Sequence, residues 1–560
     1  MRIVIVGGVA GGMSAAARAR RLDASAEIIV LERGEHVSFA NCGLPYYVSG
    51  EIDSRDALLV QTPEKLAAAL ALDVRIHHEV TGIDPEARTV TAETPRGSVE
   101  IGYDALVLSP GAAAFRPDIP GLDSPRVTTL RTVEDSFALR ERVTGGADRA
   151  VVLGAGFIGI EAAEALRMAG LDVTLVEFAP HVLPPLEDEI ASRVHAELLG
   201  LGIDVRVGTA ATAVESGTDH DTVVLDDGSR IDADTVVLSV GVRPDTTVFA
   251  AAGLATDRGA ISVDEHGRTN LERVWAVGDA TLSVDAVTGV QRPVALAGPA
   301  NRAGRLVADD ILRPGSARPI PRTLGTAIVR VGSLTVGSTG ANRAALAASG
   351  RPFHTIHLHP NQHAGYFPGA EQLHIIVHFG HDGTLYGAQI AGTDGVDKRI
   401  DVLATAIRGG LSAPGLIDLD LAYAPPYGSA KDPVNFIGME AENVLSGQLR
   451  LWYAQDLAAE QESALVLDAR SSGEFAGGHI PGSLNIPHTE LRGRMDEVRR
   501  AAGERPVRVL CASGVRSYIA HRALVDAGFD SASLSGGILT LRDVLGDRAA
   551  EVLETGAGEG

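Results

Sequence analysis

The sequence predicts an α/β protein, because an apolar strand, a glycine-rich turn, a helix and a second strand occur twice in the same order. The first copy occupies residues 2–32 and the second residues 151–177. A third observation supports this class: a further short apolar strand, 507–510, leads through a loop of small residues into a helix near the carboxyl end. Strands that alternate with helices in this way form parallel sheets with helices on their faces.

The glycine-rich turns indicate dinucleotide binding. Glycine lets the backbone approach a pyrophosphate, and the amino terminus of the following helix stabilises its negative charge. The spacing of the three glycines is regular in the second copy, whereas Val9 replaces the middle glycine of the first. The glycines are Gly7, Gly8, Gly11 and Gly12 in the first copy and Gly154, Gly156 and Gly159 in the second.

An acidic residue ends the second strand of each copy. Glu32 and Glu177 follow their turns by about twenty residues, where a carboxylate accepts hydrogen bonds from a ribose. Residues 178–181, directly after Glu177, contain no Arg that would receive a 2′-phosphate. The second copy therefore favours NADH over NADPH.

Three further segments indicate a flavoprotein. Residues 269–280 form a strand that ends in Gly278 and Asp279 at a helix start, and they resemble the second FAD motif of flavoproteins with two dinucleotide-binding domains. In those proteins the Asp binds the ribityl chain. Residues 106–112 and 238–244 resemble the crossovers between their FAD and NAD domains. The order of these pieces predicts an FAD-binding domain that is interrupted by an NAD-binding domain.

Composition and charge restrict the function classes. The 560 residues are 45% hydrophobic and 22% charged, as in ordinary globular chains, and the length suggests several domains. A net charge of −23 argues against nucleic-acid binding through phosphate contacts. The amino terminus runs directly into a strand without a signal-peptide pattern, and no apolar run is long enough to span a bilayer. We therefore expect a cytoplasmic protein without a membrane or nucleic-acid partner.

The chain contains only two cysteines, Cys42 and Cys511, and both lie in loops that lead into helices. An isolated cysteine is more often an inert apolar residue. Backbone N–H groups at the start of a helix lower the pKa of a thiol, so we expect two reactive thiols here. Their separation in sequence does not indicate a secreted disulfide framework.

Residues 38–47, Ser-Phe-Ala-Asn-Cys-Gly-Leu-Pro-Tyr-Tyr, carry a family resemblance. With the motifs above, they make residues 1 to about 445 similar to the pyridine nucleotide-disulfide oxidoreductases, and among these to the coenzyme A-disulfide reductases. Members of the glutathione-reductase type use two cysteines a few residues apart. Here Cys42 is alone, so the second sulfur must come from a small molecule, or the thiol must itself be oxidised.

Two chemistries with a single cysteine remain open. Coenzyme A-disulfide reductases hold coenzyme A as a mixed disulfide, whereas NADH oxidases and peroxidases cycle through a sulfenic acid. The peroxidase-type members place a His in the first glycine-rich turn, where this sequence has Val9-Ala10-Gly11. The absence of that proton donor favours the reductase chemistry.

The resemblance implies cofactor and substrate sites. No metal site is predicted. FAD is expected to contact Gly7, Gly8, Gly11, Gly12, Glu32, Gly111, Gly278, Asp279 and Ala297, and the nicotinamide dinucleotide to contact Gly154, Gly156, Gly159, Glu177 and Gly241. Coenzyme A is expected to contact Ser14, Arg18, Arg21, Ser38, Asn41, Asn301 and Lys431. Residues 66–73 lack the basic residue that some relatives offer to the nucleotide phosphates, so a smaller thiol or persulfide is expected to bind too.

Residues 321–445 resemble the α+β dimerisation domain of the family, which implies a homodimer. Tyr366 and Tyr423 match tyrosines that reach the partner subunit's Cys42 in coenzyme A-disulfide reductases. A phenol close to a thiolate can donate a hydrogen bond to it or protonate a leaving thiol. We expect the neighbouring Phe367 and Tyr427 to be packing residues.

Residues 457–546 resemble an α/β rhodanese domain, on the motifs 466–470, 474–475 and 478–487. The loop from Cys511 to Arg516 would surround the sulfur with backbone N–H groups that stabilise thiolate and persulfide anions. Arg516 would add positive charge. Many rhodaneses carry Arg directly after the cysteine, whereas this chain has Ala512, so thiosulfate is a less expected donor.

The predicted organisation follows from these motifs. Residues 1–110 and 240–320 form the FAD-binding domain, 111–239 the NAD-binding domain, 321–445 the dimerisation domain, 446–456 a linker, 457–550 the rhodanese domain and 551–560 a tail, disordered from 555 onward. We predict that NADH reduces coenzyme A persulfide, polysulfide or coenzyme A disulfide through FAD and Cys42, with Cys511 transferring sulfane sulfur. The alternatives are an NADH oxidase or peroxidase and a sulfur carrier or redox sensor.

Overall fold

A computed structural model describes residues 1–556, which divide into two compact units. The first comprises Met1–Pro180 and Leu201–Gly325, and the second His181–Gly200 and the chain from Thr326 onward. The predicted α/β class is confirmed in both. Within the described residues, no helix is long and apolar enough to cross a membrane.

The first sheet of unit 1 contains five parallel strands with the first repeated motif at its centre. The helices Ala10–Leu22 and Ala297–Leu312 pack on one face through small residues, because Ala and Gly side chains allow close helix contact. A three-stranded antiparallel sheet covers the other face. In spatial order, the parallel strands are Val274–Ala276, Ala105–Leu108, Arg2–Val6, Glu27–Leu31 and Asp73–Arg75, and the antiparallel strands are Glu79–Asp84, Thr89–Thr94 and Gly97–Gly102.

The second sheet of unit 1 repeats this plan around the second motif. Five parallel strands are flanked by the helices Val133–Thr144 and Phe157–Met168 and by a further antiparallel sheet. The parallel strands are Asp204–Val207, Asp172–Glu177, Arg149–Leu153, Thr235–Leu238 and Val127–Thr128, and the antiparallel ones are Ala211–Ser216, Asp221–Leu225 and Arg230–Ala233. The two expected crossovers pair with each other, as strands Ala112–Ala114 and Val242–Pro244.

Shorter elements complete unit 1. Helices are Leu44–Ser49, Arg55–Leu58, Pro63–Leu70 and Thr247–Ala251, and paired strands are Thr256–Asp257 with Ala260–Ile261 and Leu282–Val284 with Gln291–Pro293.

Unit 2 contains an antiparallel sheet against which two long amphipathic helices, Val396–Gly409 and Pro433–Leu445, bury one apolar face. The helix Asp188–Gly200 also belongs to this unit, although the sequence places it inside the expected NAD-binding domain. In spatial order the strands are Ala327–Val331, Leu334–Gly340, Leu385–Gly392, His374–Phe379 and His354–Leu358, and a short helix spans Arg343–Ala348.

The carboxyl-terminal part of unit 2 is a parallel five-stranded sheet with an apolar core on each face. Its edge strand, Leu451–Trp452, lies within the segment 446–456 that was expected to be a linker. In spatial order the strands are Leu451–Trp452, Ser531–Leu534, Val507–Leu510, Leu465–Asp468 and Leu484–Asn485. The helices are Leu457–Ser463, Ser472–Ala476, Met495–Ala502, Val515–Asp526, Gly537–Leu545 and Ala549–Val552.

The expected tail is only partly described. Glu554 pairs with His479 in an antiparallel bridge, and the Gly556 N–H donates to the carbonyl oxygen of Ala476 at 2.8 Å. Residues 551–556 are thus attached to the carboxyl-terminal domain, whereas residues 557–560 lie outside the described part of the chain.

Two buried carboxylates hold the segments of unit 2 together. Glu187 is hydrogen-bonded to His378 at 3.0 Å and Glu189 to His357 at 3.2 Å, and Arg343 contacts both acids. Burial alone would raise the pKa of Glu189, but the hydrogen bond from His357 and the charges of His357 and Arg343 outweigh it and lower the pKa. A charged carboxylate is therefore the stable form in the folded protein.

The same segments anchor the carboxyl-terminal sheet domain. Its polar groups meet side chains of the strand His354–Leu358 and of the helix Asp188–Gly200. The contacts are His357–Ser535 (2.8 Å), His359–Thr540 (2.8 Å) and Arg193–Asp543 (2.8 Å). Within unit 2, the two sheet domains thus share a polar, hydrogen-bonded contact.

We predict that Glu189→Gln destabilises unit 2 by about 3 kcal/mol, because it breaks a buried ion pair. The measurement is the midpoint of urea unfolding, followed by tryptophan fluorescence, since Trp452 is buried in this unit. The loss should shrink at low pH, because a lowered pKa contributes stability that disappears as the pH falls through it. Glu197→Gln is the control, because this half-buried acid of the same helix accepts hydrogen bonds from Ser333 in the described contacts rather than from a buried histidine. Equal midpoints for the two variants would contradict the prediction.

Candidate functional site

The first glycine-rich turn is fixed by the acid that the sequence pairs with it. The Gly8 N–H donates to Glu32 Oε2 at 2.8 Å, and the Gly34 N–H donates to Glu32 Oε1 at 2.8 Å. A Cβ atom on Gly12 would overlap the carbonyl oxygen of Gly7, so only glycine permits this close approach of helix and turn. The result is a backbone cradle at the carboxyl ends of the parallel strands, which fits a dinucleotide pyrophosphate.

The residues of the later FAD motif come to the same edge of the sheet. Asp279 lies in a short turn after the strand Val274–Ala276, and its carboxylate contacts Arg131 at 3.4 Å. Burial raises the pKa of Asp279, and the charge of Arg131 opposes the rise. Gly111 is adjacent, because a Cβ atom there would lie 3.6 Å from the Arg131 guanidinium. Arg131 was not predicted, since only folding brings it to Asp279.

Two further predicted residues lie on the helix Ala297–Leu312. Ala297 is exposed at its first position, and Asn301 Oδ1 accepts a hydrogen bond from Ser14 Oγ at 2.9 Å. Ser14 lies on the first helix, so the expected contact residues of FAD and of coenzyme A adjoin here. The donors and glycines together fit a bound FAD.

The second glycine-rich turn repeats the geometry of the first. The Ala155 N–H donates to Glu177 Oε2 at 2.6 Å, and the Ala179 N–H donates to Glu177 Oε1 at 2.8 Å. A Cβ atom on Gly159 would overlap the Gly154 carbonyl oxygen, just as a Cβ atom on Gly12 would overlap the Gly7 carbonyl oxygen in the first turn. Gly156 precedes the helix Phe157–Met168, and Gly241 lies at the paired crossover. This site fits a second dinucleotide with an acid at the ribose position.

Cys42 is exposed in the short turn Asn41–Gly43, directly before the helix Leu44–Ser49. Partial burial of the thiol raises the pKa of Cys42, and the Glu161 carboxylate raises it further. The expected lowering is therefore wrong for this thiol: the helix has only six residues, so its dipole is weak, and a negative charge lies nearby.

Glu161 is a functional candidate that sequence reasoning missed. It lies on the helix Phe157–Met168 of the second nucleotide site, and the Tyr46 hydroxyl donates to Glu161 Oε1 at 3.4 Å. The helix that follows Cys42 packs on this helix. The sequence could have indicated Glu161 by its position five residues after Gly156, on the helix that begins at the second glycine-rich turn.

The expected coenzyme A residues of unit 1 have different environments. Ser38 adopts a left-handed backbone conformation, with φ of 48°, and its N–H donates to the carbonyl oxygen of Gly8. Asn41 is exposed next to Cys42. Arg18 forms an ion pair with Asp309 at 2.6 Å, whereas Arg21 is exposed and bonds only its own helix in the described contacts. Arg21 is therefore the better placed of the two for a phosphate.

Unit 2 brings the two predicted tyrosines together. The hydroxyls of Tyr366 and Tyr423 are hydrogen-bonded at 3.0 Å, and 75% of Tyr366 is exposed in the isolated chain. The hydrogen bond to Tyr423 raises the pKa of Tyr366, so its phenol holds its proton more firmly. Lys431 is exposed in the same unit. Phe367 and Tyr427, expected as packing residues, are exposed as well.

Cys511 lies at the base of a loop between the strand Val507–Leu510 and the helix Val515–Asp526, and only 1% of it is exposed. The Gly514 N–H points at Sγ, with a nitrogen–sulfur distance of 3.2 Å. The carbonyl oxygens of Cys511 and Ala512 accept hydrogen bonds from the N–H groups of Ile538 and Leu539. These two bonds hold the loop in place, and in the described contacts one backbone N–H group of the expected several faces the sulfur.

The predicted absence of a metal site stays a prediction. Within residues 1–556, two groups place three ligand atoms within 4.8 Å of one another: Glu35, His36 and Glu134, and His359, His374 and Asp543. In the second group, burial and Arg193 lower the pKa of His374 to about 3, and the Arg193 guanidinium contacts Asp543 at 2.8 Å. That positive charge disfavours a cation, and we assign no metal to either group.

Comparison with known proteins gives the family. The family described as pyridine nucleotide-disulphide oxidoreductase matches residues 1–304, and the dimerisation domain of that family matches residues 326–433. The chain belongs to this family. A rhodanese-like domain matches residues 452–541. The predicted resemblance is therefore confirmed for both parts of this oxidoreductase.

Individual relatives cover either the first part or the whole chain. The coenzyme A disulfide reductase of Staphylococcus haemolyticus is 34% identical over 449 residues, 79% of this chain and all of that protein. The structure of reduced Bacillus anthracis CoADR-RHD has a TM-score of 0.95 at 40% identity and covers 99% of both chains. The structure of an NAD-dependent persulfide reductase from A. fulgidus has a TM-score of 0.90 at 36% identity, covering 96% of this chain and 100% of that one.

We predict that Glu161→Gln lowers the pKa of Cys42, because it removes a nearby negative charge. The iodoacetamide alkylation rate, measured against pH, reports the thiolate fraction. The reduced protein should carry Cys511→Ser, so that Cys42 is its only thiol. Alkylation at pH 7 should become faster in the Gln variant and stay unchanged in Glu265→Gln, an exposed position of unit 1. A slower or equal rate in Glu161→Gln would show that its carboxylate does not act on the thiol.

Proposed function

We propose that this oxidoreductase uses NADH to reduce coenzyme A persulfide, polysulfide or coenzyme A disulfide at Cys42, and that Cys511 transfers sulfane sulfur in the same chain. The observation that carries the proposal is the presence of one cysteine in each of two reactive loops and of no third cysteine in the sequence. A flavoprotein with a single thiol needs a second sulfur from its substrate to form a disulfide. A rhodanese-like domain is useful to it only if that substrate carries sulfane sulfur.

The names of the relatives support this choice. The structures named CoADR-RHD and NAD-dependent persulfide reductase cover 99% and 96% of this chain, and so include the carboxyl-terminal domain, whereas the coenzyme A disulfide reductase of Staphylococcus haemolyticus matches 79% of the chain. A persulfide substrate explains the presence of both the oxidoreductase part and the rhodanese-like domain, whereas coenzyme A disulfide explains only the oxidoreductase part. We therefore place persulfide reduction ahead of disulfide reduction.

When bound, FAD would supply the two-electron redox chemistry that links NADH oxidation to sulfur reduction. The protein's own contribution is to hold the nucleotides: Glu32 and Glu177 fix the two turns and present carboxylates to the riboses. Asp279, oriented by Arg131, is the group for the ribityl chain. We propose the glycines of both turns, Gly111, Gly278, Ala297 and Gly241 as the remaining contacts.

Cys42 performs the sulfur chemistry. Its thiolate attacks the coenzyme A sulfur of the persulfide, the sulfur–sulfur bond breaks, and hydrosulfide leaves, so that a Cys42–coenzyme A disulfide remains. Two electrons and one proton convert this mixed disulfide into the Cys42 thiolate and free coenzyme A. With coenzyme A disulfide, the first leaving group is coenzyme A thiolate. A thiolate of raised pKa is the stronger nucleophile when it is formed.

Leaving thiolates need a proton donor and an anchor. We propose that Tyr366 and Tyr423 donate to the sulfur at the partner subunit's Cys42 in a homodimer, because their paired phenols are exposed in the isolated chain. We propose Lys431, Arg21 and Asn41 as contacts for coenzyme A, together with Ser14, Ser38 and Asn301. Arg18 is a weaker candidate, since Asp309 already neutralises it.

Cys511 accepts sulfur without a net redox change. Its thiolate attacks the outer sulfur of a donor, the donor's sulfur–sulfur bond breaks, and a Cys511 persulfide remains. An acceptor thiolate then takes the same sulfur and releases the Cys511 thiolate. Linking this step to Cys42 in one chain raises the local concentration of the reductase substrate. Two free thiols are best kept in a reducing compartment, and we propose the cytoplasm.

We predict that Cys42→Ser keeps FAD but loses NADH oxidation with coenzyme A disulfide by about three orders of magnitude or more, as when an enzyme loses its nucleophile. The measurement is NADH absorbance at 340 nm, with bound flavin checked by its visible spectrum. Cys511→Ser is the matched control and should retain this activity, since coenzyme A disulfide carries no sulfane sulfur. Retained turnover in Cys42→Ser would exclude the mechanism.

The oxygen-only rate separates the alternatives. An NADH oxidase from Methanocaldococcus jannaschii is 31% identical over 451 residues, so this activity needs its own test. The wild-type protein in air should consume NADH slowly until coenzyme A persulfide is added. Rapid NADH consumption with oxygen alone would identify an oxidase. No NADH consumption with either oxygen or coenzyme A persulfide would favour a sulfur carrier or redox sensor.

The nicotinamide preference follows from Glu177. Its carboxylate is held by two backbone N–H groups at the ribose position, where a 2′-phosphate would meet a close like charge. We expect kcat/KM for NADH to exceed that for NADPH by about 100-fold, or ~2.8 kcal/mol. Glu177→Gln should decrease the ratio of kcat/KM for NADH to kcat/KM for NADPH, mainly by lowering the KM for NADPH. Equal use of both cofactors by the wild-type protein would show that the acid points elsewhere.

A further inference from the structure

Arg516, at the end of the Cys511 loop, is bound by an acid from another segment of the rhodanese-like domain. Its two terminal nitrogens donate to the two carboxylate oxygens of Glu474 at 2.6 and 2.8 Å. The pKa of Arg516 is raised, first by the hydrogen bond to Glu474 and further by Cys511, which lies close enough to interact with the same guanidinium. The positive charge expected beside the reactive sulfur is therefore paired with a carboxylate.

Glu474 is held in place independently of Arg516. It is the third residue of the helix Ser472–Ala476, and its carboxylate accepts hydrogen bonds from the Ser471 N–H at 3.1 Å and hydroxyl at 2.8 Å. These contacts complete a capping box, which fixes the side chain at the helix start. Arg516 and Ser471 lower the pKa of Glu474 to about 2. The acid is thus ionised throughout the neutral range.

Two exposed apolar side chains lie on the helix that follows the loop. Val515 is 70% exposed and Ile519 is 47% exposed, one turn apart on the helix that follows Cys511. The thiol itself is almost fully buried, so a donor must bring its sulfane sulfur into the loop. A dianion entering here meets a cation that is already neutralised, and it loses hydration without a matching charge.

We propose that Glu474 determines the specificity of the Cys511 loop: by neutralising Arg516 it disfavours dianionic sulfur donors such as thiosulfate and favours donors whose reacting end carries at most one charge. The proposal deepens the sulfur-transfer role of Cys511 and rests on it. It also assigns a reason for the loop to accept persulfides, which are the substrate class of the Cys42 chemistry.

Two donors of similar chemistry but different charge test the proposal. Thiosulfate carries two negative charges and releases sulfite, whereas methanethiosulfonate carries one and releases methanesulfinate. In both reactions the Cys511 thiolate attacks the outer sulfur, forms a persulfide and breaks the donor's sulfur–sulfur bond. Cyanide then takes that sulfur as thiocyanate and regenerates the thiolate. Thiocyanate production needs no NADH, and the full-length flavoprotein is used with Cys42→Ser in every sample, so the reaction at Cys42 does not enter the measurement.

The decisive variant is Glu474→Gln, because Gln also completes a capping box and removes only the charge. We expect the thiosulfate kcat/KM to rise about tenfold, or ~1.4 kcal/mol, with a smaller change for methanethiosulfonate. Adding Arg516→Gln should remove the gain, since it acts through the released guanidinium. Glu497→Gln, which breaks a similar two-point pair with Arg494 in the same domain, should leave the ratio of the donors unchanged.

The outcomes separate the inference from the function on which it rests. An unchanged donor ratio in Glu474→Gln, equal losses with both donors, or a gain that survives Arg516→Gln would each overturn the role of Glu474. Wild-type activity that persists in Cys511→Ser would instead overturn the sulfur-transfer function itself. If the ratio of kcat/KM for the two donors shifts toward thiosulfate only in Glu474→Gln, the result supports both the role of Glu474 and the sulfur-transfer function of Cys511.

Discussion

A carboxylate bound to the amide of a glycine-rich turn is the interaction on which the first unit depends. Glu32 holds Gly8 in the first turn, and Glu177 holds Ala155 in the second, each at the carboxyl ends of parallel strands. The segment that carries Cys42 is attached to the first turn, because the Ser38 N–H donates to the carbonyl oxygen of Gly8. A single backbone geometry therefore positions the nucleotide site and the reactive thiol together.

The two thiols of this chain differ in their exposure and in the groups around them. Cys42 is exposed, beside a carboxylate that raises its pKa, which suits exchange with a large disulfide that binds and leaves as a whole. Cys511 is buried, with a backbone N–H directed at its sulfur, which suits the storage of one sulfur atom as an anionic persulfide. The contrast supports separate tasks for the two cysteines rather than a shared disulfide.

The fold and the nucleotide sites could be predicted because their determinants are local: glycine spacing and an acid at the end of the next strand identify both turns. The roles of Arg131, Glu161 and Glu474 escaped prediction because each acts on a residue distant in sequence, through contacts that only the folded chain creates. The grouping of the helix Asp188–Gly200 with unit 2 also depends on such a contact, since Glu189 of this helix pairs with His357 of a later sheet. The direction of the Cys42 pKa also required the position of Glu161.

Mass spectrometry of peptides from the wild-type protein tests the division of labour most directly. The protein is treated without NADH, first with coenzyme A disulfide and, in a separate sample, with methanethiosulfonate, and is then digested under non-reducing conditions. Coenzyme A should be found on the Cys42 peptide alone, and one additional sulfur atom on the Cys511 peptide after the thiosulfonate. Coenzyme A on Cys511, or a disulfide between the two cysteines, would contradict two thiols with separate tasks.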